Sequence, residues 1–73
     1  MLQDARKASG LSQGQLAEKS GVNVRMIQYY EQGVRDIDGV KLATLADLAM
    51  ALNCPISDIV SEDLKAKLKK VTL

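Results

Sequence analysis

The sequence has no histidine, tryptophan or phenylalanine, and only one cysteine and one proline. Without histidine it cannot form a Ser–His or Cys–His nucleophile pair, and it has no histidine ligand for zinc. The single cysteine, Cys54, cannot form an internal disulfide, and we expect it to be a small buried apolar residue. These absences argue against an enzyme, and no cofactor or metal ion is expected.

Long apolar runs are missing as well. No stretch approaches the roughly 20 residues of a transmembrane helix, and no signal-peptide pattern opens the sequence, so we expect a cytoplasmic protein with no membrane partner. The 73 residues allow one small domain, and an apolar content of 47% suffices for a compact core. Because alanine and leucine are abundant and runs of β-branched residues are absent, the composition predicts an all-α fold.

The sequence also has no large excess of positive or negative charge. The net charge is only +1, whereas domains that bind nucleic acid are often strongly basic. The last nine residues contain four lysines and no acidic residue, so residues 1–64 carry six basic and nine acidic residues, a net charge of −3. Any function on nucleic acid must therefore depend on local geometry and not on bulk attraction.

Capping signals predict where the first two helices begin and end. We expect a short helix over residues 2–9, followed by Gly10. Ser12 and Gln15 fit the S-x-x-Q capping box of a second helix. Gly21 should end that helix with a sharp turn, because glycine adopts a positive φ without steric cost.

A third helix is predicted from Asn23, a favourable N-cap, to about Gln32, with Gly33 after it. Together with the turn at Gly21, the second and third helices form a predicted helix-turn-helix. At about 100° per residue, the third helix has one mostly apolar arc and one polar arc. The first contains Met26, Ile27, Tyr30 and Glu31, and the second contains Val24, Arg25, Gln28, Tyr29 and Gln32.

The remainder of the chain predicts a polar loop, further helices and a tail. Residues 34–39 read as the loop, a fourth helix ends near Asn53, and a short fifth helix covers residues 55–60. We divide the chain into a domain over residues 1–60 and a Lys-rich tail over residues 61–73 that is able to form a helix. The tail has three interpretations: a solvated end, a helix that binds a second copy or another protein, or a basic arm on DNA or anionic lipid.

A family resemblance rests on residues in the turn, in the helices beside it and in the fourth helix. They are Gly10, Leu11, Ser12, Gln13, Leu16, Ala17, Gly21, Val22, Ile27, Tyr30, Glu31 and Gly33, followed by Leu45, Leu48, Ala49, Ala51 and Leu52. Over residues 2–60 the chain resembles the Cro and lambda-repressor-like (XRE-type) helix-turn-helix family. The resemblance implies a compact four- to five-helix DNA-binding domain, located on the nucleoid when it is bound to DNA.

The resemblance also implies roles for individual positions. Base edges would be contacted by Val24, Arg25, Gln28 and Tyr29, and the DNA backbone by Gln13, Asn23, Gln32 and Arg35. Arg6 and Glu31 would form a structural ion pair between the first and third helices. Two features depart from the pattern: Gly14 weakens the first turn of the second helix, and Asp36 and Asp38 stand where basic residues would help to bind phosphate. We therefore expect modest affinity.

Two functions remain open on this reading. The first is a sequence-specific transcriptional regulator, with repression favoured, that acts as a homodimer and inserts helix 23–32 into the major groove of double-stranded DNA. The alternative is an antitoxin-like or adaptor module that binds another protein and for which DNA is secondary. The net charge of residues 1–64 favours this alternative slightly.

Overall fold

The computed structural model describes residues 1–71, which contain five α-helices and no strand. The helices are α1 (Leu2–Ala8), α2 (Gln13–Ser20), α3 (Val24–Gln32), α4 (Leu42–Leu52) and α5 (Glu62–Leu68). Two single-turn 3-10 helices, Ile37–Gly39 and Ile56–Asp58, lie in the connections on either side of α4. The predicted all-α fold, with its helix-turn-helix, is confirmed. None of the helices over residues 1–71 is long and apolar enough to cross a membrane.

Short-range hydrogen bonds account for the ends of α2 and α3. The Ser12 hydroxyl accepts from the Gln15 backbone N–H at 3.1 Å, and the side-chain Oε1 of Gln15 accepts from the Ser12 backbone N–H at 2.8 Å. Gly21 ends α2 with a φ of 77°, which a side chain would strain. Asn23 Oδ1 then accepts from the Arg25 N–H at 2.8 Å and begins α3. Both of these predicted helix starts are confirmed.

The core is built around α2, which packs against both α3 and α4. Leu16 of α2 and Ile27 of α3 are fully buried, so burial of these apolar side chains holds the two helices of the motif together. The complete buried apolar set is Leu2, Leu16, Ile27, Ile37, Leu45, Leu48, Ala49, Ala51, Leu52, Ile59 and Val60. Every helix except α5 contributes to it, and α5 adds partly buried leucines at its edge.

The predicted fifth helix over residues 55–60 is wrong. The structure has only one 3-10 turn there, Ile56–Asp58, preceded by extended backbone at Pro55. Ile59 and Val60 must reach the core, where they are 0% and 2% exposed, and Ser61 already serves as the N-cap of α5. The short segment leaves no length for a regular α-helix. The segment over residues 34–39 also differs from its prediction as a polar loop. It contains a 3-10 turn, and Ile37 within it is buried.

The segment after residue 60 is helical as far as Leu68 and lies against the domain. The hydroxyl of its N-cap, Ser61, accepts from the Leu64 N–H at 3.2 Å, and Leu64 and Leu68 pack against the core. Residues 72 and 73 of the predicted tail lie outside the described residues. Cys54, at the end of α4, is half-buried against the core, and burial raises the pKa of its thiol.

Candidate nucleic-acid interface

The outer arc of α3 is open to solvent while its inner arc is held in the protein. Among the residues expected at base edges, Val24 and Arg25 are exposed, and Gln28 and Tyr29 are half-buried. On the inner arc Ile27 is fully buried, and Tyr30 packs partly buried against the core. The outer arc therefore offers a guanidinium, an amide and a phenol from a rigid helix, and groups of this kind can hydrogen-bond base edges in a major groove.

Two of the predicted backbone contacts lie where helices begin. Asn23 is exposed, and since its Oδ1 caps α3, its NH₂ group is the part that can donate to a phosphate. Gln13, the first residue of α2, is half-buried, and its Nε2 donates to Glu31 Oε1 at 3.1 Å. Because an amide nitrogen carries two hydrogens, this bond leaves one N–H of Gln13 for a phosphate. Helix N-termini favour anions, so both positions suit such a contact.

The other two predicted backbone contacts, Gln32 and Arg35, are exposed at and beyond the end of α3. The backbone N–H groups of Val34 and Arg35 both donate to the Tyr29 carbonyl, at 2.9 and 3.3 Å, which holds the chain close to the helix. Arg35 lines a shallow recess that also includes Asp36. The carboxylate beside it reduces the positive potential that a phosphate would meet.

A buried ion pair connects α1 to α3. Arg6 Nε donates to Glu31 Oε2 at 2.7 Å and Arg6 Nη2 donates to Glu31 Oε1 at 3.0 Å, so the contact is bidentate. The third guanidinium nitrogen, Nη1, donates to the Leu11 carbonyl at 2.8 Å. The side chains of Arg6 and Glu31 are only 10% and 2% exposed. With Gln13 added, one carboxylate joins the first three helices.

The electrostatics of this network favour the charged forms of both Arg6 and Glu31. Burial by itself raises the pKa of Glu31, but the hydrogen bonds from Arg6 and Gln13 and the charge of Arg6 outweigh it and lower that pKa below its ordinary value. The hydrogen bond to Glu31 likewise raises the pKa of Arg6. Glu31 is thus an anion at neutral pH whose negative charge is compensated within the protein and is not presented to DNA.

One structural role was missed from the sequence. Asp38, interpreted above as an obstacle to phosphate binding, accepts from the Ser61 backbone N–H at 2.9 Å and from the Ser61 hydroxyl. Its carboxylate therefore ties the loop after α3 to the N-terminus of α5. The two residues are 23 positions apart, and no local pattern in the sequence pairs them.

Comparison with known proteins agrees with this geometry. A family model described as helix-turn-helix matches residues 2–59, which span α1 to the second 3-10 turn. The chain therefore belongs to the Cro and lambda-repressor-like (XRE-type) helix-turn-helix family, which is a DNA-binding family. No curated protein and no solved structure gives a significant match to the chain.

Glu31→Gln tests the ion pair through its dependence on pH. At pH 7 we expect the variant to lose about 3 kcal/mol of unfolding free energy, because a neutral amide leaves the buried charge of Arg6 uncompensated. A carboxylate with a lowered pKa stabilises the fold above its unfolded pKa, and this stability is lost as pH falls through the folded pKa. The gap between the two proteins should therefore narrow as pH falls through the lowered pKa of Glu31.

The measurement is urea unfolding at several pH values, followed by circular dichroism. Glu18→Gln is the matched control, since Glu18 is exposed on α2, and its effect should stay within about 0.5 kcal/mol. A gap between Glu31→Gln and the unmodified protein that stays constant at all of these pH values would contradict the account of Glu31.

Proposed function

We propose that the protein is a sequence-specific DNA-binding transcriptional regulator that inserts α3 into the major groove. The observation that supports this most strongly is the division of α3 into two arcs. Its inner arc is fixed by the buried Ile27 and by the Arg6–Glu31 ion pair, while its outer arc presents polar side chains to solvent. A recognition helix needs this combination, because the groove admits a helix whose outward side chains meet base edges.

The side chains on the outer arc define the proposed base contacts. Arg25 can donate two hydrogen bonds to O6 and N7 of a guanine, and Gln28 can pair with N6 and N7 of an adenine. Val24 can contact a thymine methyl group. Tyr29 is half-buried, and we propose that its exposed part also contacts a base.

The proposal also covers the position of α3 on the DNA, the symmetry of the complex and its effect on transcription. Gln13, Asn23, Gln32 and Arg35 bind the DNA backbone and fix the position of α3. The protein acts as a homodimer on a two-fold operator, with half-sites one helical turn apart. We propose repression because it requires only that the bound protein occupy the duplex and exclude other proteins. Its place of action is the cytoplasm, on the nucleoid.

Substitution of Arg25 tests the proposed base readout. We expect Arg25→Ala to weaken operator binding by about 1–3 kcal/mol and to relax the preference for one guanine, because the bidentate contact is lost. Arg25→Lys keeps the charge but not the fork of donors, so it should bind with weakened discrimination. Fluorescence anisotropy on matched and mutated duplexes measures both effects.

Lys67→Ala serves as the charge-matched control, because Lys67 is an exposed cation on α5, away from α3. It should leave discrimination between duplexes unchanged. Operator affinity that is the same in Arg25→Ala and in the unmodified protein would rule out the proposed role of Arg25.

A second candidate, a protein-interaction module with secondary DNA binding, is favoured by the net charge of −3 over residues 1–64. Salt dependence separates the two candidates. Among the four proposed backbone contacts only Arg35 is cationic, so we expect about one released counterion per subunit and a log–log slope of about −1 on a half-site.

This slope is measured by titrating a half-site duplex at several salt concentrations. A slope several times steeper would contradict readout through base edges with few phosphate contacts. The absence of saturable binding at low salt would instead identify the interaction module.

A further inference from the structure

The Asp38 carboxylate holds the N-terminus of α5 through both of its oxygens. Oδ1 accepts from the Ser61 backbone N–H at 2.9 Å, and Oδ2 accepts from the Ser61 hydroxyl. The Ser61 hydroxyl in turn accepts from the Leu64 N–H at 3.2 Å, so one side chain both binds the loop after α3 and caps α5. Hydrogen bonds to an ionised carboxylate are stronger than those between neutral groups. The loop and α5 are therefore firmly connected at this point.

This contact is the closest polar link between α5 and the rest of the described chain. The other link joins Lys65 Nζ to Asp58 Oδ1 at 4.0 Å and is partly exposed, and ion pairs of this kind contribute little. Ser61 lies just beyond residues 2–59, which the helix-turn-helix family model matches. A segment outside the matched region thus contacts the loop next to α3.

A short series of hydrogen bonds connects Asp38 to Arg35, the one cation among the proposed backbone contacts. Asp36 Oδ1 accepts from the Asp38 N–H at 3.0 Å, and the Asp36 carbonyl accepts from the Gly39 N–H at 3.2 Å. These bonds close the 3-10 turn that follows Arg35. On its other side, the Arg35 N–H donates to the Tyr29 carbonyl at 3.3 Å. The backbone of Arg35 therefore lies between an anchor on α3 and an anchor on α5.

We propose that Asp38 and Ser61 are positioning residues for DNA binding. Through them, α5 holds the loop after α3 in the conformation in which Arg35 meets a phosphate, and neither residue contacts DNA itself. This role rests on the proposed function, in which Arg35 binds the DNA backbone. It also reverses the effect expected for Asp38 from sequence, where its negative charge opposes phosphate binding. The segment after residue 60 thereby becomes part of the DNA-binding unit.

The benefit of this contact is that it orders the loop before DNA arrives. Arg35 is exposed, and Ile37 is the only buried residue in the segment 34–39. A loop that becomes ordered only on binding loses affinity through its conformational entropy. The Asp38–Ser61 contact removes this loss by fixing the loop in the free protein. No other cation among the proposed backbone contacts is present to replace a displaced Arg35.

Two substitutions at Asp38 separate its position from its charge. Asp38→Ala removes both the charge and the contact, and we expect it to bind a half-site duplex about fivefold more weakly. Asp38→Asn removes the charge, but its carbonyl oxygen still accepts from the Ser61 N–H, so it should bind at least as tightly as the unmodified protein. If Asp38 acted only through its charge, both variants would bind more tightly. Fluorescence anisotropy measures both affinities.

Ser61 provides a second pair of variants that leaves every charge in place. Ser61→Ala removes the hydroxyl bond to Asp38, and binding should weaken about threefold. Ser61→Thr keeps a hydroxyl and should restore the affinity. Asp63→Ala is the matched control, because Asp63 is exposed in the first turn of α5 and its removal leaves the Asp38–Ser61 contact intact. Its affinity should stay within about twofold of that of the unmodified protein.

A comparison with and without Arg35 distinguishes positioning from a general loss of stability. In the Arg35→Ala background, Asp38→Ala should weaken binding no further, because the side chain that it positions is gone. In Asp38→Ala alone, the log–log salt slope on the half-site should move from about −1 toward zero. A variant that is only less stable would lose affinity equally in both backgrounds and keep its slope.

Circular dichroism at the assay temperature checks that each variant is folded. If Asp38→Ala is partly unfolded there, the same comparison is made with Ser61→Ala, which keeps the carboxylate. Equal losses of affinity with and without Arg35, or an Asp38→Ala variant that binds as tightly as the unmodified protein, would overturn the proposal.

Arg25→Ala on the same duplex separates this failure from that of the DNA function. If Arg25→Ala weakens binding and Asp38→Ala does not, α3 still reads bases and α5 has no part in it. If neither substitution has an effect, the proposed function fails together with the positioning role.

Discussion

The carboxylate of Glu31 is the point on which the arrangement of the first three helices depends. It lies on α3, accepts two hydrogen bonds from Arg6 of α1 and one from Gln13 of α2, and is almost completely buried. Removing one partner from such a pair leaves a buried charge uncompensated, which costs about 3–5 kcal/mol. For a domain of this size that is a large part of the total stability.

This network also connects stability to function. In the proposed complex the N-terminus of α2 and the outer arc of α3 contact the same duplex, so their relative position decides whether base and backbone contacts form together. Gln13 participates in both tasks, because its amide holds Glu31 and its remaining N–H is proposed to bind phosphate. The geometry of the motif therefore compensates for a chain whose first 64 residues have a net negative charge.

Local sequence signals predicted most of the motif, because the interactions that define it span few residues. The Ser12–Gln15 capping box, the turn at Gly21 and the Asn23 cap are each set by hydrogen bonds that span at most four residues. The contacts that the sequence did not reveal join distant positions. Gln13 and Glu31 are 18 residues apart, and Asp38 and Ser61 are 23 apart. Only the folded chain brings these polar groups together.

The 3-10 turn at Ile56–Asp58 illustrates a second limit of prediction from local sequence signals. Pro55 is a sound signal for the start of a helix, but the need to bury Ile59 and Val60 and to begin α5 at Ser61 prevents one from forming. The roles of individual residues in DNA contact are harder to predict. The exposure of Arg25 and the partial exposure of Gln28 show that both can reach a ligand, and not which bases they select. Which bases are selected can be seen only in the complex with DNA.

The central claim is that α3 reads base edges, and selection of duplexes from a random pool tests it most directly. Bound duplexes are enriched over several rounds and sequenced. The account predicts a two-fold symmetric sequence with half-sites about 10 base pairs apart, in which Arg25→Ala loses the preference at one guanine of each half-site. A pool that remains random, or an enriched sequence that Arg25→Ala selects unchanged, would contradict it.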